Sequence, residues 1–181
     1  LVSKGITVFH GHAAENIEGA DIVVYSAAVS PENPEIVAAK EKGIMLATRA
    51  EALGALMDQY PTSIAVSGTH GKTTTSTLIA WLNQSVGAGG NAFVGGISKN
   101  FESNLVLGEG DRLAVEADEF DRSFLRLKPD VAVITSVAAD HLDIYGTYEA
   151  VVEAFGQFAA LIKQGGALVL KQGVDIPLPE G

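Results

Sequence analysis

Cysteine is absent from all 181 residues, and with it go disulfides, zinc–thiolate centres and thiol nucleophiles. Positive charge is scarce: 12 lysines and arginines face 22 aspartates and glutamates, a formal net charge of −10. Nucleic-acid binding rests on a basic stripe that neutralises phosphates, so nucleic acid is excluded as a partner. An anionic ligand has to be met locally, by backbone N–H groups, a few lysines or a metal ion. No apolar run approaches the roughly 20 residues that cross a bilayer, and no signal peptide opens the sequence. Membrane insertion is therefore not expected, and a cytoplasmic location is. Methionine is missing from position 1, where Leu1 leads almost at once into the apolar "GITVF". We expect a fragment that begins partway through a domain.

What is present is a hydrophobic content of 47%, enough to build a core in one large domain or two small ones. The runs "ITVF" (6–9), "DIVVYS" (21–26), "SIAVS" (63–67), "LAVEA" (113–117), "VAVIT" (131–135) and "ALVL" (167–170) read as strands. They lack a polar alternation, as strands buried on both faces do. Helical patterns lie between them. "NPEIVAAKEKG" has Asn33 as cap, Pro34 at the first position and Gly43 after the last turn. A second helix is expected over "RAEALGALMDQ", a third from Thr73, and a fourth from Thr147, where Val151, Phe155, Phe158 and Ile162 share one face. Strands alternating with helices imply an α/β fold with a parallel sheet. The polar, proline-containing "DQYPTS" (58–63) is the expected boundary between a small N-terminal part, 1–60, and a larger domain, 61–181.

The chemistry starts at "AVSGTHGKTTTSTL" (65–78): a strand, then Gly68, Thr69, His70, Gly71, Lys72 and Thr73, then a helix. That order is the context of a P-loop. Glycines let the backbone curl so that its amides point inward, and the helix N-terminus adds its dipole; both favour a polyphosphate. Lys72 is placed to reach the β and γ phosphates and the Thr73 hydroxyl to meet Mg²⁺. The spacing is short, because Val66 stands where the full Walker pattern has its first glycine. The plain alternative is a glycine-containing turn with an incidental lysine. Downstream, "LAVEADEFD" runs into Glu116, Asp118, Glu119 and Asp121, and "VAVITSVAADHLD" into Asp140, His141 and Asp143. An acid at the end of a strand next to a P-loop strand is where a magnesium-binding carboxylate sits. Glu116 is the candidate, because it lies within the apolar run; Asp118, Glu119 and Asp121 read as a solvated acidic loop. Ligands of open α/β sheets collect at the carboxyl ends of strands, so Thr73, Glu116 and His141 are expected to converge there.

The stretches "GHAAENIEGADIVVYSAAVSPENPEI", "GTHGKTTT" and "VEADEFDRSFLRLKPDVAVITSVAADHLDIYG" together resemble the Mur ligases over nearly the whole chain. His70 and the unbroken run of "EADEFDRSFLRLKP" into the next strand are similar to the alanine-adding branch; the murein-peptide branch shares the histidine but has an extra segment here. The resemblance implies a partial Rossmann-like UDP-sugar domain, without its glycine-rich first strand, followed by an ATPase domain incomplete at its C-terminal end. It implies that Gly68, Thr69, His70, Gly71, Lys72, Thr73 and Thr74 bind ATP, and that Thr73, Glu116 and His141 serve Mg²⁺. Lys72, Glu116 and His141 are then the catalytic set. His12, Ser26 and Ala27, with His70, would contact the UDP-sugar. The implied reaction phosphorylates the lactyl carboxylate of UDP-N-acetylmuramate, and the amine of L-alanine then displaces phosphate to leave an amide. Two further readings stand beside it: a neighbouring ligase that adds a peptide or glutamates, and a P-loop module that hydrolyses ATP slowly and signals by conformation.

Overall fold

The computed structural model describes Val2 and residues 5–178. Leu1, Ser3, Lys4 and the closing Pro179, Glu180 and Gly181 lie outside the described residues. The chain divides into two compact units, Leu1–Ala52 and Leu53–Gly181.

In the first unit a 3₁₀ turn (Ala14–Ile17) precedes β1 (Ile22–Tyr25), α1 (Pro34–Lys42) and β2 (Met45–Thr48), and α2 (Arg49–Met57) begins there. The sequence signals for α1 are realised. Asn33 Oδ1 accepts from the Glu35 amide at 2.9 Å, Pro34 opens the helix, and Gly43 closes it at φ 67°. β1 and β2 pair in parallel, and Ile17, Ala38 and Ala39 pack with Val23, Ile44 and Leu46 as a small core. Residues 6–9, expected as a strand, are not one. Ile6, Val8 and Phe9 are exposed, and among the described residues no strand offers them a ladder. β1 also differs from expectation. Ile22 and Val24 face outward, so it is covered on one side only.

The second unit contains β3 (Thr62–Ser67), α3 (Lys72–Ser85), β4 (Asn91–Ser98), β5 (Ser103–Val106), β6 (Arg112–Glu116), β7 (Val131–Ile134), α4 (Leu142–Tyr145), α5 (Tyr148–Ala159) and β8 (Ala167–Leu170). Its sheet runs in the order β5-β4-β6-β3-β7-β8. All neighbours are parallel except β4 and β5, which pair antiparallel at one margin, so the sheet is the mostly parallel one of an α/β fold. β3, β6 and β7 lie in the middle with helices on both sides, which explains their unbroken apolar runs. α5 starts at Thr147, whose side chain accepts from the Ala150 amide, and buries Val151, Phe155 and Phe158 completely. Each such side chain contributes about 1.5–3 kcal/mol by leaving water. Phe124 stacks on Phe158 and meets Phe155 edge-on. Ile162 falls beyond the helix but still packs on this core. The consequence for chemistry is alignment: the carboxyl ends of β3, β6 and β7 lie side by side.

Candidate active site

At the end of β3 the backbone turns sharply through Gly68 (φ 133°) and Gly71 (φ 87°) into α3. A Cβ on Gly68 would lie 2.2 Å from Thr135 Oγ1, so no other residue fits there. Val66 is buried within the strand, which accounts for the short glycine spacing. The loop is pinned to the segment after β7. Thr135 Oγ1 lies 2.6 Å from the His70 carbonyl, to which it donates, and 3.0 Å from that of Ser67. Ser136 Oγ accepts from the His70 amide at 2.8 Å and lies 3.0 Å from Thr69 Oγ1. The His70 ring meets Thr69 Oγ1 through Nδ1 at 3.2 Å.

Lys72 sits in the first turn of α3, where its Nζ donates to the Gly68 carbonyl at 2.8 Å and to both oxygens of Glu119, at 2.9 and 2.7 Å. Glu119 is only 1% exposed. This corrects the reading of Glu119 as part of a solvated acidic loop: a carboxylate in that position needs a cation partner, and Lys72 is it. Asp118 Oδ1 stands 3.9 Å from Nζ and remains half-exposed. Glu119 escaped notice as one acid among four. A signal was present in the alternation Val115, Ala117, Glu119, all buried, which carries the inward face of β6 past the strand's end.

Glu116, at the end of β6, lies against the start of α3. Its Oε1 accepts from the Thr73 hydroxyl at 3.0 Å and its Oε2 from the Gly95 amide at 2.6 Å. A Cβ on Gly95 would fall 2.6–2.7 Å from that carboxylate, so the glycine makes room for it. The Thr73 hydroxyl and the Glu116 carboxylate are hard oxygen donors and fit a magnesium ion, which takes few protein ligands and completes its shell with water and phosphate. Consistent with so sparse a donor set, no cluster of three or more His, Asp or Glu side chains that could hold a metal occurs among the described residues. His141 is joined to the site through another group: its Nε2 is 3.9 Å from Glu119 Oε1, and its ring meets Phe120 edge-on. Its φ is 54°, an uncommon left-handed conformation for a side chain of this size.

Around this cluster Tyr145 donates to the Glu119 carbonyl at 2.6 Å. Burial, reinforced by the carboxylates of Glu119, Asp118 and Asp121 and opposed by Arg122, pushes the Tyr145 hydroxyl up to about 12. It is a neutral donor. Thr74 lies with Thr73, Thr77, Leu78, Trp81, Ser98, Lys99 and Asn100 on a groove of about 510 Å³ beside the loop.

The substrate candidates of the first unit have their own partners. His12 Nδ1 is 3.1 Å from Glu35 Oε2, and Asn16 donates to Glu35 Oε1 at 2.6 Å. Led by the Asn16 bond, these contacts hold the Glu35 carboxyl below its ordinary value against a smaller opposing effect of burial. Ser26 and Ala27 form a turn closed by the Val29 amide on the Ser26 carbonyl.

A strand, phosphate-type loop and helix in a mostly parallel sheet, with acids at adjoining strand ends, define an α/β domain of the P-loop class. The chain belongs to the Mur ligase family: residues 66–176 match the Mur ligase middle domain, and residues 1–61 match the domain described as Mur ligase family, catalytic domain. It is 45% identical over 170 residues to the UDP-N-acetylmuramate–L-alanine ligase of Sorangium cellulosum, covering 94% of this chain and 36% of that protein. The solved UDP-N-acetylmuramate-alanine ligase of Thermotoga maritima superposes with a TM-score of 0.81 at 27% identity, over 95% of this chain and 40% of that one. The UDP-N-acetylmuramate:L-alanyl-gamma-D-glutamyl-meso-diaminopimelate ligase of Neisseria meningitides gives 0.86 at 23% identity, over 99% and 64%; at that identity the likeness is one of fold. The chain spans about a third of the length of the curated relatives it matches.

Proposed function

We propose that this chain supplies the nucleotide-binding core (61–181) and part of the UDP-sugar domain (1–60) of an ATP-dependent, ADP-forming ligase that joins L-alanine to UDP-N-acetylmuramate. That is a cytoplasmic step of peptidoglycan biosynthesis, on which cell-wall growth, cell shape and division depend. The observation that carries the reading is the placement of Lys72, held over a glycine-opened loop at the N-terminus of α3, with Thr73 and Glu116 joined beside it. The preference for alanine is supported by the identity to alanine-adding relatives across nearly the whole chain.

In this reading the amides of Gly68 to Thr74 and the α3 dipole hold the polyphosphate. Lys72 offsets the charge that spreads over the γ-phosphoryl group as it passes to the lactyl carboxylate. The amine of L-alanine then attacks the acyl phosphate carbon, the C–O bond to phosphate breaks, and the amide forms. Thr73 and Glu116 would hold a magnesium ion, with His141 as a further candidate ligand, and the ion would supply neutralisation of phosphate charge. His12, Ser26 and Ala27, with His70, serve the UDP-sugar.

The test is ADP release by the full-length protein with ATP, magnesium, UDP-N-acetylmuramate and a panel of amino acids and peptides. We expect release to need both acceptor and amine, with L-alanine preferred at least tenfold. Preference for a tripeptide would point to the murein-peptide branch. Release indifferent to both additions would leave a slow ATPase module instead.

A further inference from the structure

We propose that Glu119 is a positioning residue for the P-loop lysine: it fixes Lys72 Nζ over the loop and keeps hold of it when a phosphate arrives. The inference rests on the ligase reading above and concerns a residue which that reading leaves without a role. An ammonium has three N–H donors. Those of Lys72 are all engaged, one by the Gly68 carbonyl and two by the oxygens of Glu119. A phosphate oxygen that reaches Nζ therefore has to take over one of these bonds. The two-oxygen grip lets Glu119 yield one and retain the other, so the lysine is shared without becoming free.

The surroundings make Glu119 stiff enough for that task. Its side chain is 1% exposed, against 15% for Lys72, so water competes little and rotamer freedom is small. Its own carbonyl is tied to the Tyr145 hydroxyl at 2.6 Å, and the amide of Arg122 bonds to it as well. The two residues that follow Phe120, Asp121 and Arg122, have φ 54° and 55°, which sends the chain back sharply after the acid. Arg122 lies over the Tyr145 ring with its guanidinium carbon 5.1 Å from the centroid. His141 Nε2, at 3.9 Å from Oε1, is the other group facing the carboxylate; Glu119 thereby joins the loop lysine to the strand-end histidine. Positioning of this kind acts on the rate more than on acceptor binding, because it sets how the charge is presented to the moving phosphoryl group.

The test uses the full-length protein and the variants Glu119→Gln, Glu119→Asp, Lys72→Ala and Lys72→Ala/Glu119→Gln. Turnover, ATP affinity by a fluorescent ATP analogue, and thermal melting are measured on each. We expect both Glu119 variants to lose at least tenfold in kcat and about fivefold in ATP affinity, with KM for the UDP-sugar and for L-alanine changed less than twofold. In the Lys72→Ala background Glu119→Gln should cost no further ATP affinity, and it should raise the melting temperature by removing a buried charge that has lost its partner. A kcat and ATP affinity within twofold of the parent for both single variants would overturn the proposal. So would a further loss of ATP affinity in the double variant as large as in the single. If Glu119→Gln does not fold, Glu119→Asp carries the comparison, since it keeps the charge and withdraws it by one methylene. If the parent protein binds ATP but ligates nothing, the ligase reading fails while the affinity cycle still decides the role of Glu119.

Discussion

At Lys72 two consequences of one substitution separate. Lys72→Ala should lower ATP-dependent turnover of the full-length protein by a factor of about 100 or more, the scale of losing a group that stabilises transferring charge; more than about a tenth of parental activity would count against that role. A phosphate-binding lysine read from sequence is a free loop side chain whose removal spares the fold. The Glu119 contact changes that expectation, because an orphaned buried carboxylate costs about 3–5 kcal/mol, and urea unfolding should show a drop of that order. Glu116→Gln keeps the size of the side chain but removes the charge facing Thr73. It should raise the magnesium concentration needed for half-maximal rate several-fold, and an unchanged magnesium titration would exclude Glu116 as a ligand. Lys72, Thr73 and Glu116 were legible because each has a type and an offset dictated by its chemistry. Glu119, Gly95, Thr135 and Ser136 were not. Their roles depend on what a distant strand brings beside them, as with the Thr135 hydroxyl on the His70 carbonyl.

Among the elements, α1 and α5 were readable to their caps because capping is local chemistry, settled within a few residues. Thr147→Ala removes the acceptor for the Ala150 amide and should cost about 1 kcal/mol, seen as a lower urea midpoint with an unchanged slope. The strands were harder. β4 contains Gly95 and Gly96 at its centre, which reads as a turn until the Glu116 carboxylate is found against it; β2 (MLAT) and β5 (SNLV) lack the valine- and isoleucine-rich runs that mark β1 and β7. The strand reading of 6–9 failed for the converse reason, since apolar character alone gives a backbone nothing to pair with. A pH dependence belongs to the β3–β7 junction. Burial pushes the Asp130 carboxyl up, but the Ser63 hydroxyl and amide, at 2.7 and 2.8 Å, together with Lys163, outweigh it and hold the group below its ordinary 3.8. A carboxyl depressed by folding binds protons more readily in the unfolded chain. Its stabilisation is thus complete above about 3.8 and is lost as pH falls through the lower folded value. Asp130→Asn should flatten that acid limb in a series of urea midpoints below pH 4, and a parallel, merely shifted curve would assign the acid sensitivity elsewhere.

For the whole molecule, the two units have separate cores, and the relatives that add alanine are about three times as long as this chain. Much of a ligase's advantage comes from orienting two reactants at once. The 181 residues on their own are therefore expected to bind ATP feebly and to form no amide; UDP-N-acetylmuramoyl-L-alanine appearing in a mixture of this chain, ATP, magnesium and both substrates would refute this. The strand order of the larger sheet has a consequence in time as well as in space. β3 occupies an inner position, yet both of its neighbours, β6 and β7, are made after it, and the Ser63–Asp130 bond that closes one side spans 67 residues of sequence. At a synthesis rate of about 5–20 residues per second, β3 waits roughly 3–13 seconds between its own completion and the arrival of that partner. During that interval an apolar strand has an open edge, the condition under which nascent chains associate wrongly. The folded yield of this chain is accordingly expected to depend on the pace of translation during those seconds as well as on the stability of the finished fold, and a yield unchanged when translation is slowed would count against this.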